Sequence, residues 1–176
     1  MKTANRLHRL ILCALFAALT CVATAAISFP APLVGYVHMG DCMVLCAAFL
    51  LGPVYGTVAA GIGSALADIF LAYTVYAPAT LVIKALFALV AVCLARATRR
   101  FVPRTLSLVI GGTVGGVLMA LGYFAYEALA LGYGLAAAAN IPLNLVQALF
   151  GVVVSTVLVT LLQRIPLVQN TFEMRK

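Results

Sequence analysis

The few ionisable side chains within the apolar stretches of this chain are the first candidates for chemistry. They are Asp41, Asp68, Lys84 and Glu127, and His38 lies three residues before Asp41 in the stretch GYVHMGDCMVL. Ionisable groups inside membrane segments are costly, usually paired and usually functional. We therefore expect these five side chains to meet in one polar chamber.

Amides and phenols add to this set. Three amides are spaced i, i+4 and i+7, which places them on one helix face: Asn140, Asn144 and Gln147. Tyr123 and Glu127 share a face in the same way, and Tyr76 lies beside Pro78. Such groups around an apolar cavity orient and stack a small, flat, polar heterocycle. The pattern predicts ligand binding.

Catalytic and metal-binding motifs do not occur in the sequence. It has no HExxH and no GxSxG, and its five cysteines form no CxxC pair. Asp41 and Asp68 belong to different helices and lack further ligands for a metal. We expect no enzyme activity and no cofactor.

Structural roles compete with ligand binding at several of these positions. Asp41 could cap the second helix, and Lys84 and Asp68 could form a structural ion pair. Tyrosines near helix ends could be interfacial anchors. The amides of Asn144 and Gln147 could bond other helices.

The composition identifies the elements that must position these residues. The chain has 176 residues, is 65% hydrophobic and only 9% charged, and has a mean hydropathy of +1.18. Polar alternation typical of a barrel is absent, so we predict an all-α integral membrane protein. The net charge of +7 is not clustered as a nucleic-acid-binding surface requires.

Six apolar segments are separated by Pro, Gly and charged residues. They predict one transmembrane domain over 1–176 with helices at 10–29, 38–51, 55–72, 79–95, 106–131 and 141–163. The first segment is longer than a signal-peptide core and is expected to be retained. The second is short, and a re-entrant hairpin with the third would leave four spans.

The basic residues predict the orientation. All Lys and Arg except Lys84 fall before helix 1, between helices 4 and 5, or after helix 6. The positive-inside rule makes these regions, and both termini, cytoplasmic. The loops at 30–40, 72–80 and 131–140 are then outside, on the side of the polar chamber.

Small residues recur four apart on predicted helices 1, 3 and 5. Such stripes let helix backbones approach closely in lipid. They serve either internal packing or docking to another membrane protein. Helix 1, with Ala14 and Ala18, is the best docking candidate.

The elements HMGD, LLGPVYG, GIGSALAD, YAPAT and IK stand in order within residues 36–90. In this order they resemble the S components of energy-coupling factor (ECF) vitamin transporters. The branch is the riboflavin-type one, which also includes S components for hydroxymethylpyrimidine or pyridoxine. The resemblance covers about a third of the chain, and the ALFAA motif of helix 1 agrees with it.

This resemblance implies a six-helix protein of the plasma membrane that binds a water-soluble vitamin from outside. It implies partners: a transmembrane coupling protein, contacted through Ala14 and Ala18, and two ATPase subunits that use the ATP. The ligand would lie under the loop between helices 1 and 2, near helices 4 to 6. Because the chain has no Trp and short loops, a pyrimidine or pyridine ring is the first choice.

Two other functions compete with this interpretation. A membrane scaffold or regulator without ligand would act through its small-residue helix faces. A facilitator working alone would transport without any ATPase. Substitutions in the polar chamber and co-purification of ATPases separate these hypotheses.

Overall fold

The computed structural model describes residues 2–31 and 35–166. Its long helices are α1 (Lys2–Ala26), α2 (Asp41–Phe70), α3 (Ala77–Thr98), α4 (Arg104–Ala125) and α5 (Ile141–Leu162). Two short strands, β1 (Ser28–Pro30) and β2 (Tyr36–His38), pair antiparallel with Ser28 opposite His38. A π-helical turn (Tyr126–Ala130) and a 3-10 helix (Gly134–Asn140) precede α5.

Five helical segments of the described chain are long and apolar enough to cross a membrane, which confirms a helical membrane protein. The prediction of six separate helices is not confirmed. The predicted helices at 38–51 and 55–72 are one element, α2, which is interrupted at Gly52.

The interruption at Gly52 reverses the chain. Gly52 has φ 84° and ψ −173°, a conformation that glycine adopts without the steric penalty of a side chain, and Pro53 follows it. A Cβ added at Gly56 would lie 2.5 Å from the carbonyl oxygen of Ala47. In a continuous helix these residues would be about 13 Å apart along the axis. We therefore describe α2 as a helical hairpin with a first arm at 41–51 and a second arm at 53–70.

The bundle has two chemically different ends. At one end, called here the ribbon end, β1 and β2 lie beside the start of α2, and Gly40 approaches Thr24 of α1. The opposite arginine end carries Arg96, Arg99, Arg100 and Arg104 near the turn between α3 and α4. The first residues of α1 and the last of α5 also lie there. Which end faces the cytoplasm stays a prediction. Pro32 of the predicted outer loop, and Arg175 and Lys176 of the predicted cytoplasmic terminus, lie outside the described residues.

Packing inside the bundle separates the two ends. One buried apolar cluster includes Ile83, Phe87 and Met119 and lies next to the ribbon end. A second includes Phe16, Leu50, Leu108 and Val159 and lies toward the arginine end. Large apolar side chains such as Leu15, Leu86, Leu121 and Val153 are exposed on the outside of the bundle. This distribution suits a protein whose solvent is lipid.

The element ends depart from the sequence-based predictions where local chemistry opposes an α-helix. Helix α1 ends at Ala26, before 29, because Ser28–Pro30 pairs with β2. The predicted helix 106–131 changes at Tyr126 to a π-helical turn, in which the N–H of Leu131 donates to the carbonyl of Tyr126 (3.1 Å). Both exceptions are at the ribbon end, where the polar residues collect.

Candidate ligand-binding site

A cavity opens at the ribbon end between the two strands, the first turns of α3 and α5, and the end of α4. It holds about 440 Å³ of empty space, its open mouth included. Eight of the predicted site residues line it: His38, Asp68, Tyr76, Tyr123, Glu127, Asn140, Asn144 and Gln147. Asp41 and Lys84 are not among the lining residues and lie behind the wall.

Lys84 and Asp41 form a fully buried ion pair behind the cavity. The Lys84 ammonium contacts Asp41 Oδ1, and both side chains have no exposed surface. Lys84 Nζ also lies 3.0 Å from the sulfur of Met119 and 5.5 Å from the centre of the Tyr123 ring. A buried charge is tolerated only with such partners. The pair therefore joins the first arm of α2 to α3.

Gln147 connects this ion pair to the β-ribbon. Its amide nitrogen donates to Asp41 Oδ2 (2.8 Å), and its amide oxygen accepts the backbone N–H of His38 (2.9 Å). Both groups of the amide are thus occupied and its orientation is fixed. Gln147 lies two turns into α5, so one side chain ties α5, α2 and β2 together at the floor of the cavity.

His38 is buried and neutral at this floor. Its Nδ1 accepts the N–H of Gly40 (3.1 Å), the residue that precedes α2. Burial, and then the positive charge of Lys84, lower the pKa of His38 from 6.5 to about 3. The neutral ring therefore carries its proton on Nε2, within the cavity lining.

Asp68, near the end of α2, interacts with Tyr36 of β2. The Tyr36 hydroxyl donates to Asp68 Oδ1 at 2.6 Å. Burial, and then the adjacent Asp68 carboxylate, raise the pKa of Tyr36 well above 10, so the phenol stays protonated and remains a donor. The Tyr36 ring lies 4.8 Å from that of Tyr73 and 5.5 Å from that of His38. The strand β2 is thus held over the cavity by the Asp68 carboxylate and the Tyr73 ring.

Glu127 reaches the cavity from the π-helical turn. Its two oxygens accept from Tyr76 Oη (3.2 Å) and Asn140 Nδ2 (2.9 Å). The π turn inserts one residue into the helical register, a feature often found at functional sites. Burial, and then the negative charge of Glu127, raise the pKa of Tyr76, which favours its role as a donor.

Two lining side chains complete the wall. The Tyr123 hydroxyl donates to Thr80 Oγ1 (3.1 Å) across the gap between α4 and α3. Asn144 is half-buried one turn before Gln147, and the described residues offer its amide no hydrogen-bond partner. Its donor and acceptor groups are therefore open to whatever fills the cavity.

Two structural roles considered from the sequence are wrong as stated. The cap residue of α2 is Gly40, and Asp41 makes no capping hydrogen bond because its carboxylate is used by Lys84 and Gln147. Lys84 is paired with Asp41 and not with Asp68, because the first arm of α2 carries Asp41 to its level. Gln147 does bond other elements, as the structural alternative predicted, and it also lines the cavity.

Sequence reasoning missed two residues of the site that carry polar side chains. Tyr36 and Thr80 both line the cavity, yet neither was selected. Tyr36 lies in the same GYVHMGD stretch as His38, two residues away, which is the spacing that places two side chains on one face of a strand. A prediction of strand at this point would have found it.

The small-residue stripes fall into two groups in the structure, those packed inside the bundle and one on its outer surface. Those of α2 and α4 pack inside the bundle, as does the stripe of α1 that contains Ala17 and Cys21. Ala14 and Ala18 lie on the exposed face of α1. Of the small-residue stripes predicted from the sequence, the one with Ala14 and Ala18 faces outward.

Comparisons with known proteins found a matching family, a curated relative and a solved structure of similar fold. The family described as "ECF-type riboflavin transporter, S component" matches residues 4–164. A Pyrococcus woesei protein described as "Uncharacterized protein in gap 3'region" is 34% identical over 134 residues. The match covers 76% of this chain and 86% of that protein. The solved structure of an S component of a bacterial ECF transporter covers 89% of this chain and 95% of that chain, with a TM-score of 0.70 and 24% identity. That superposition shows a shared fold.

Proposed function

The chain belongs to the ECF-type riboflavin transporter S component family, and we propose that it captures a water-soluble vitamin or vitamin precursor from outside the cell. Membership makes it a multi-pass protein of the cell membrane and a substrate-binding transporter subunit. The vitamin, the direction of capture and the coupling to ATP are parts of the proposal.

The observation that carries the proposal is that the buried His, Asp, Glu and Lys side chains and the buried amides of the described residues all lie at the ribbon end. They line the cavity or, for Asp41 and Lys84, lie directly behind its wall. The remaining depth of the bundle is filled mainly by apolar side chains, among them Phe16, Leu50, Leu108 and Val159, and the buried polar groups among them are Ser and Thr hydroxyls such as those of Ser155 and Thr156. A continuous polar path, as a channel or an independent facilitator requires, is not seen among the described residues. This arrangement favours a protein that binds at one end and needs a partner to complete transport.

Within this proposal the site residues divide into two groups. Those that line the cavity would contact the ligand: His38, Asp68, Tyr76, Tyr123, Glu127, Asn140, Asn144 and Gln147. Asp41 and Lys84 would act through Gln147, whose amide they hold in one orientation. Tyr36 and Thr80 join the first group.

The ligand we propose is a single small ring, a pyrimidine or a pyridine. The family is named for riboflavin, whose three fused rings demand a broad stacking surface. This chain has no Trp, and the connection between α2 and α3 at the ribbon end is short, spanning residues 71–76. Tyrosine rings and amides suit a smaller heterocycle.

The partners we propose are a transmembrane coupling protein and two ATPase subunits that hydrolyse ATP. The exposed Ala14 and Ala18 would be the contact on α1, since small residues let helices approach closely in lipid. This surface and the cavity lie on different parts of the molecule, so binding and docking can be tested separately.

Native mass spectrometry of freshly purified protein, followed by titration with B vitamins and their precursors, tests the function. We expect one bound small molecule with submicromolar affinity. Asn144→Ala should weaken its binding about 5- to 10-fold, the effect of one lost hydrogen bond. Ser155→Ala is the matched control, because Ser155 is on the same helix and its hydroxyl donates only to the backbone carbonyl of Val152. Absence of submicromolar binding to any member of the panel would refute the proposal.

A further inference from the structure

The charges around the cavity are unbalanced. Two carboxylates line it, those of Asp68 and Glu127, whereas no Lys or Arg of the described residues does. The nearest cation, Lys84, is fully buried against Asp41 and has no exposed surface. Its charge is therefore already matched, and the cavity itself presents negative charge to a ligand.

The two carboxylates differ in what they still need. Both oxygens of Glu127 accept hydrogen bonds, from Tyr76 and Asn140. The Asp68 carboxylate accepts a hydrogen bond from Tyr36 to Oδ1 and lies near the Thr80 hydroxyl, but its buried Oδ2 has no partner within hydrogen-bond geometry among the described residues. The Asp68 side chain is only 3% exposed. A buried carboxylate oxygen without a donor is costly, and a ligand N–H would remove that cost.

His38 presents the opposite need. Because Nδ1 accepts the N–H of Gly40, the proton of the neutral ring is on Nε2. Nε2 lies 3.5 Å from the amide nitrogen of Gln147, which is itself a donor engaged with Asp41. Two donors cannot bond each other. The His38 Nε2–H thus lines the cavity as a donor in need of an acceptor.

Tyr36 links these two groups. Its hydroxyl bonds Asp68, and its ring lies 5.5 Å from that of His38, so an acceptor and a donor flank one aromatic face. We propose that the ligand is a neutral or cationic nitrogen heteroaromatic whose amine donates to Asp68 Oδ2 and whose ring nitrogen accepts from His38. Carboxylated or phosphorylated relatives of the ligand are excluded. This inference rests on the proposed function of the cavity.

Exclusion of anions follows from the same charges. An added negative group would lie near Asp68 and Glu127 in a poorly solvated space, where like charges repel strongly. The Lys84 ammonium cannot compensate because Asp41 holds it. An aminopyrimidine or an aminomethylpyridine instead supplies a positive charge or an N–H donor to the carboxylates that line the cavity.

The test compares ligands that differ only in donor pattern or charge. Isothermal titration of protein freed of co-purified ligand would use the amino form of hydroxymethyl-methylpyrimidine and its deaminated oxo counterpart. The charge comparisons would use pyridoxamine against pyridoxamine phosphate, and riboflavin against flavin mononucleotide. We expect the amino ring to bind roughly 10- to 100-fold more tightly than the oxo ring, and the phosphorylated compounds not to bind.

The matched variant is Asp68→Asn, which keeps the shape of the side chain and mimics its protonated form. It should lower affinity for the amino ring roughly 10- to 100-fold and leave the oxo ring unchanged or bound more tightly. Tyr36→Phe controls for movement of β2, since it should affect both rings alike.

The outcomes separate this inference from the proposed function. Tight binding of an oxo, flavin or phosphorylated ligand in preference to the amino ring overturns the inference while the binding function stands. Unchanged affinity of Asp68→Asn for the amino ring overturns it as well. Failure of every compound to bind refutes the function itself and the inference with it.

Discussion

Lys84 of α3 and Asp41 of α2 are in direct contact, and neither side chain has any surface exposed. The contact requires the first arm of α2 to lie alongside α3, and Gln147 of α5 bonds the same carboxylate. Three parts of the bundle thus meet at one charge pair beneath the cavity.

Removing one member of the pair should destabilise the protein more than removing both. Lys84→Met leaves the Asp41 charge buried and unpaired, which typically costs about 3–5 kcal/mol. Adding Asp41→Asn should recover most of that loss, because the amide oxygen still accepts from Gln147. Titration with SDS in mixed micelles, followed by circular dichroism, measures the free energy of unfolding. Additive losses in the double variant would contradict the pairing.

Gln147 is expected to hold the β-ribbon in place. Gln147→Leu removes the acceptor for the backbone N–H of His38 and the donor to Asp41. Hydrogen exchange of residues 36–40, measured by mass spectrometry, should become at least 10-fold faster, since a lost hydrogen bond is worth about 1.4 kcal/mol. Asn144→Leu, one turn earlier, is the control and should leave this exchange unchanged.

Stability should fall in acid because of His38. Its pKa is about 3 in the folded protein and 6.5 when unfolded, so below pH 6.5 the unfolded state binds one more proton. The contribution is complete above pH 6.5 and is lost as pH falls, at about 1.4 kcal/mol per pH unit. In His38→Asn, unfolding measured between pH 6.5 and 4 should show a shallower dependence. An identical slope in both proteins would assign the effect to other groups.

Substitutions at the inner and outer faces of α1 should have different effects, the first on folding and the second on docking. At Gly63 an added Cβ would lie 2.4 Å from the carbonyl oxygen of Ala17, so Gly63→Ala should destabilise the protein itself, by about 1–3 kcal/mol. Ala14→Leu alters the exposed face of α1 and should leave the unfolding free energy within about 0.5 kcal/mol. Under the proposed function, Ala14→Leu should nevertheless abolish co-purification with the coupling protein and ATPases. Retained association would exclude this face as the docking surface.

The sequence predicts the helices well where hydrophobicity decides them. The bounds of α3, α4 and α5 are close to the predicted segments, because lipid-exposed helices must be continuously apolar. Hydrophobicity alone does not reveal that the chain reverses inside α2, but Gly52 and Pro53 mark the break and fall between the predicted segments 38–51 and 55–72. The strands at 28–30 and 36–38 are too short for their pattern to be visible.

For the site, the sequence predicts which residues converge but not which atoms meet. The free-energy cost of an ionisable side chain inside a membrane is enough to select Lys84, Asp68 and Glu127. It does not decide that Lys84 pairs with Asp41 and leaves an Asp68 oxygen open, because that depends on how far each arm of α2 extends. Tyr36 was missed since a tyrosine near a predicted helix end is ordinary at a membrane interface.

The reversal at Gly52 also bears on how the chain enters the bilayer during synthesis. The first arm of α2 has 11 residues and measures about 16 Å, roughly half of the hydrocarbon thickness. A segment so short is a poor substrate for insertion by itself, so we expect both arms to be inserted together as one unit. Asp41 has no cationic partner until α3 is made, since Lys84 follows it by 43 positions in the chain. The charge pair therefore makes biogenesis ordered: the hairpin becomes stably embedded only after α3 has emerged.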